Sequence, residues 1–230
     1  PKDVVDVVFY LRDYDGNFVE KMKLTVDPND YFIRHANYYP YPIYDVYGDY
    51  DPQNAVDIVI LPDGYTSEEM GKFIKDCDYF KNCLFSYEPY ASYTDRFNIR
   101  AVIAPSKDSG ITIPAEDIWK NTAVNCAFYT FDSERYCMSY DNQSIRNLAG
   151  LTPYDQIYIL ANTSKYGGGG IYNFYCVSST DDYFTSDVII HEFGHGFAGL
   201  GDEYYDDSTS YEEFYNINIE PWEPNLTTLV

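Results

Sequence analysis

Two runs of β-branched and aromatic residues open the chain, at 3–11 (DVVDVVFYL) and 18–26 (FVEKMKLTV). Asp13-Tyr14-Asp15-Gly16-Asn17 lies between them and is a turn sequence, so the pair predicts a β-hairpin. One hairpin carries little core. Residues 1–50 are therefore expected to be part of a β-sandwich whose beginning precedes Pro1, in a trimmed piece of a longer protein. Residues 37–54 (NYYPYPIYDVYGDYDPQN) are rich in Tyr, Pro and Asp. They predict an extended linker packed over the next domain.

That second domain is expected over 51–230. Its first buried strand is 55–61 (AVDIVIL), apolar and β-branched. Pro62-Asp63-Gly64 turns the chain, and Thr66-Ser67-Glu68-Glu69 matches a capping box. Met70, Phe73, Ile74, Cys77 and Phe80 then recur at helical spacing. Residues 97–104 (FNIRAVIA), 156–161 (QIYILA) and 171–178 (IYNFYCVS) predict further strands, and 141–149 a short helix stopped by Gly150. Gly167 to Gly170 precede a strand rather than a helix, which makes them a poor phosphate cradle. They read equally well as a turn or as a place where a peptide approaches the edge strand 171–177. The last helix is expected over 186–198, capped by Ser186. The order β-α-β-α-β-β-α predicts an α/β (α+β) domain with a mixed sheet.

Net charge changes the picture of partners. At −22 the chain repels phosphate backbones and anionic lipid, which argues against nucleic acid and membrane surfaces. No apolar run approaches the ~20 residues of a transmembrane helix. The five Cys include no C-x-x-C, so a thiolate zinc site is not expected. Cys126 and Cys137 are a candidate pair; the others read as small buried hydrophobes.

The chemistry concentrates in His191-Glu192-Phe193-Gly194-His195. Positions i and i+4 share a helix face, so the two imidazoles can meet at one metal ion. Glu192, beside the first ligand, can reach water there without ligating. This is the H-E-x-x-H arrangement of zinc metallopeptidases. Two imidazoles and a carboxylate suit Zn²⁺ with an open fourth position. Gly199, Leu200 and Gly201 allow a reversal, so Asp202 is the candidate third ligand, with Glu203 competing. The order resembles the metzincin pattern, with an acidic third ligand and a spacing one residue longer. Tyr204 or Tyr205 is a candidate donor to the oxyanion. His35 reads as a plain exposed residue, and Asp181-Asp182, Asp206-Asp207 and Glu212-Glu213 as solvated faces.

Four longer stretches carry a resemblance: HEFGHGFAGLGDEY, DIVILPDGYTSEEM at 57–70, DRFNIRAVIAPSKDSGI at 95–111 and KYGGGGIYNFY at 165–175. Together they resemble the IgA-peptidase family of bacterial zinc metallopeptidases, strongly over 55–205. The resemblance implies a zincin-like catalytic domain preceded by part of a β-sandwich. It implies one catalytic Zn²⁺ held by His191, His195 and Asp202, with Glu192 as the base. It also implies an endopeptidase acting on protein or peptide substrates, immunoglobulin A being the founding one, secreted or displayed on the bacterial surface. Enzymes of the metzincin type place a Met-containing turn after the third ligand. All three Met here precede it, and the C-terminal part of the domain is expected beyond Val230. That departure favours the alternative, a catalytically silent binding module of zincin fold.

Overall fold

The computed structural model describes residues 3–33, 41–204 and 218–228. His35, Tyr205 and the acidic runs at 206–207 and 212–213 lie outside them. The chain divides into two units, residues 38–199, and residues 1–37 with 200–230.

In the smaller unit, strands β1 (Val5–Arg12) and β2 (Phe18–Val26) form the expected antiparallel hairpin. Val5, Val7, Phe9 and Leu11 share one face with Met22 and Leu24 across the ladder, and all are exposed. Arg12 closes the turn by donating to the Gly16 carbonyl at 3.0 Å. The described residues here form a two-stranded sheet.

In the larger unit, β3 (Ile43–Tyr47), β4 (Val56–Asp63), β5 (Phe97–Val102), β6 (Gln156–Ala161), β7 (Gly168–Gly170) and β8 (Tyr175–Ser179) form one mixed sheet. Their order is β3-β5-β4-β6-β8-β7. The four inner strands run parallel, and the edges β3 and β7 run antiparallel. The inner strands are apolar on both faces because both faces are covered. Ile58, Ile60, Ile99, Tyr158, Leu160 and Cys176 face helices α1 (Met70–Leu84) and α3 (Thr185–Phe193). Val59, Leu61, Ile157, Ile159, Tyr175 and Val177 face α2 (Asn142–Ala149) and the long loops.

Local chemistry explains the elements. The Glu69 carboxylate accepts from the Thr66 backbone N–H at 2.9 Å, starting α1. That helix then buries Phe73, Cys77, Phe80 and Leu84, worth roughly 1.5–3 kcal/mol for each large side chain. The Asp141 carboxylate accepts from Ser144 N–H at 3.0 Å and caps α2. At the end of β4, the fully buried Asp63 carboxylate accepts from Val124 N–H (2.8 Å), Cys126 N–H (2.9 Å) and the Thr122 hydroxyl (2.9 Å). It pins the 122–126 loop to the sheet.

Three expectations need correction. The Tyr- and Pro-rich stretch contains strand β3, whose Ile43 and Tyr44 pair with Val102 and Ala101. Its pattern is obscured because β3 is an edge strand, only half-buried. The strand expected at 171–178 begins at Tyr175, because residues 171–174 are the turn that joins β7 to β8. The edge strand is β7, three glycines without a side-chain signal, while β8 is internal. The last helix is α-helical from Thr185 to Phe193 only, Phe184 rather than Ser186 stands at its N-cap, and Gly194–Ala198 forms a π-helical turn.

Candidate metal centre

The helix α3 and its π-turn place the motif. Ile189 and Phe193 face the core, and the Tyr158 hydroxyl donates to the Ile189 carbonyl at 3.3 Å. Phe193 stacks on Phe197 at 5.1 Å and meets Tyr90 edge-on at 5.3 Å. With that face held, His191 points outward, exposed, and His195 is half-buried one turn on. Their Nε2 atoms lie 3.0 Å apart, with the rings at 84°. Two nitrogens at tetrahedral positions about 2.0–2.1 Å from one zinc are about 3.3 Å apart, so the pair is close to a chelating geometry.

Gly199 ends the π-turn with φ +67°, a left-handed conformation that glycine adopts freely, and its N–H donates to the His195 carbonyl at 3.1 Å. The chain continues directly to Asp202. Asp202 lies three residues beyond Gly199 and seven beyond His195. The Oε1 of Glu203 accepts from the Asn225 side-chain amide at 2.9 Å. The donor set, two imidazoles and a carboxylate, fits a divalent metal of zinc's softness. Tyr204 is exposed.

Glu192 is buried, and its carboxylate lies against β7. A Cβ built on Gly168 would stand 3.2 Å from its Oε1, and one on Gly170 3.3 Å from its Oε2. The Gly170 Cβ would also stand 2.8 Å from the Glu192 carbonyl and 2.9 Å from the His195 Cβ. The glycines thus let the strand lie directly on the helix that carries the motif. The pairing of β7 with β8 has a second consequence. Gly167 and Ile171 hydrogen-bond to Ser179 and Tyr175, so by the two-residue alternation Gly168 and Gly170 turn their main-chain groups outward. Gly168 is covered there: its N–H donates to the Arg135 carbonyl and its C=O accepts from Cys137 N–H, both at 3.1 Å. The outward groups of Gly170 have no partner among the described residues.

Sequence reasoning missed the layer beneath the helix. Cys176 on β8 and Gln156 on β6 are both buried against Gly196. Cys176 had read as a small hydrophobe, and only the glycine at 196 hinted at a close approach.

Fold and site together define a class, the metallopeptidases: a mixed α/β sheet under a helix that gathers His-Glu-x-x-His with an acidic residue beyond a glycine turn. The chain belongs to the IgA peptidase M64 family, whose model matches residues 46–230. No curated protein matches the chain. Among the described residues no helix is long and apolar enough to cross a membrane.

Proposed function

We propose that this chain is a zinc-dependent endopeptidase, with His191, His195 and Asp202 holding the ion and Glu192 as general base. The observation that carries the reading is the pair of imidazole Nε2 atoms 3.0 Å apart beside the buried carboxylate of Glu192. When bound, the ion supplies Lewis acidity, making water a stronger acid and polarising the scissile carbonyl. Glu192 takes a proton from the attacking water at its carboxylate and delivers it to the leaving amine nitrogen. The outward N–H and C=O of Gly170 orient an extended substrate through one pair of main-chain hydrogen bonds. The burial of Glu192 keeps competing water from its carboxylate. The family's name points to immunoglobulin A among the substrates, and we place the enzyme outside the cell or on its surface, where such proteins are met. The hairpin Val5–Val26 then serves as part of a β-sandwich that precedes the catalytic domain in the chain.

The test is hydrolysis of casein and of immunoglobulin A by the purified chain, with and without chelator. Glu192→Gln should retain stoichiometric zinc and lose about 10²-fold or more in kcat. Undiminished turnover removes Glu192 from its role. A zinc-loaded wild type that cleaves nothing supports the silent binding module instead.

A further inference from the structure

The π-turn in the middle of the motif has a visible cause. In a regular α-helix, Gly196 N–H would donate to the Glu192 carbonyl four residues back. The Cys176 thiol is lodged at that step of the ladder. Its Sγ donates to the Glu192 carbonyl at 3.0 Å and packs against the Gly196 backbone. The Gln156 side-chain amide also donates to it, at 3.5 Å. A Cβ on Gly196 would stand 2.2 Å from the sulfur, so glycine is the residue that leaves room for it. A side chain inserted into the hydrogen-bond ladder is one of the few recognised causes of a helix irregularity. Burial, with the Glu192 charge nearby, pushes the thiol's pKa well up, so it keeps its proton and can donate.

The insertion falls between the two halves of the site. Glu192 lies before it and His195 is on the widened turn. The far side of that turn is held too, because Asn173 N–H donates to the Gly196 carbonyl at 2.9 Å. We propose that Cys176 is a positioning residue: its thiol, bridging Glu192 and Gly196, wedges the helix open and sets the His191–Glu192–His195 geometry. This rests on the reading of the site as a zinc peptidase. The sulfur touches neither substrate nor metal; it acts through the backbone of Glu192 and Gly196.

Cys176→Ala removes the bridge and lets the Gly196 N–H close on the Glu192 carbonyl. Cys176→Ser keeps a donor and an acceptor in the same place. Both are compared with wild type as the full, zinc-loaded chain, by casein hydrolysis, zinc Kd against a chromogenic chelator, and thermal melting. The Ala variant should lose about 30-fold or more in kcat with KM within about twofold, since a shift approaching 1 Å costs about 10²-fold. It should also bind zinc at least about tenfold more weakly. The Ser variant should recover most of both losses. An Ala variant with wild-type kcat and zinc Kd overturns the proposal. A Ser variant as impaired as Ala also overturns it, because the thiol then serves only packing. Should Ala fail to fold, Cys176→Val fills the space without a donor and is compared with Ser in its place. If wild type binds zinc but cleaves nothing, the peptidase reading has failed, and the zinc affinities alone decide the role of Cys176. A wild type that binds no zinc overturns both.

Discussion

Gly170→Ala tests the contact between the edge strand and the motif helix. The added methyl would stand 2.8 Å from the Glu192 carbonyl oxygen and 2.9 Å from the His195 Cβ. Ordinary contact begins near 3.4 Å, so strand and helix must separate by roughly 0.5 Å. Neither neighbour is the loose end of a side chain, so the separation moves the backbone of Glu192 and His195 together. Overpacking of this kind costs about 1–3 kcal/mol. For a chain of this size that is a fall of roughly 2–10 °C in Tm. The larger effect is expected on chemistry, because a displacement of this scale is a large part of the 1 Å that costs about 10²-fold in rate. Gly71→Ala is the control: it lies in α1, and an added Cβ meets nothing within 4 Å. It should gain up to about 1 kcal/mol. The assays are thermal melting and casein hydrolysis at saturating zinc. A Gly170→Ala protein with wild-type Tm and kcat would refute the claim that β7 seats the motif.

Three further outcomes are expected. Asp202→Ala should release zinc in equilibrium dialysis, whereas Glu203→Ala should retain it, since that carboxylate is engaged by Asn225; the reverse result would transfer the ligand role. Burial pushes Asp63 up to about 6, against the pull of its three donors. The folded chain then holds this proton to higher pH than the unfolded chain, so this group's contribution to stability falls by about 2 kcal/mol between pH 4 and 6. Asp63→Asn should remove that slope from urea melts taken across the range, and an unchanged slope would show that Asp63 is ionised throughout. Gly196→Ala should lower Tm sharply in the wild type and much less in the Cys176→Ala background, where the sulfur no longer meets the new methyl; additive effects would deny the contact.

What could be read along the chain was whatever a short stretch encodes by itself. The i, i+4 spacing of His191 and His195 announces a shared helix face without reference to anything distant. The β-branched run at 56–61 and the Thr66–Glu69 cap are equally local. What could not be read depends on partners far along the chain. The three glycines of β7 carry no side chains to alternate, so only pairing with β8 makes them a strand. Strand β3 is masked by its prolines and tyrosines, and pairing with Val102 and Ala101 defines it. The π-turn is imposed by a sulfur twenty residues before Gly196, on a strand, and nothing in GHGFA itself predicts it.

A rail made of glycine grips only what every residue shares. Gly170 can offer a passing chain one amide hydrogen and one carbonyl, so it reads posture and is blind to side-chain identity. A proline opposite it would bring no hydrogen to the exchange, and the cleavage pattern should show that gap. Preference for one sequence over another must then come from side chains outside this strand.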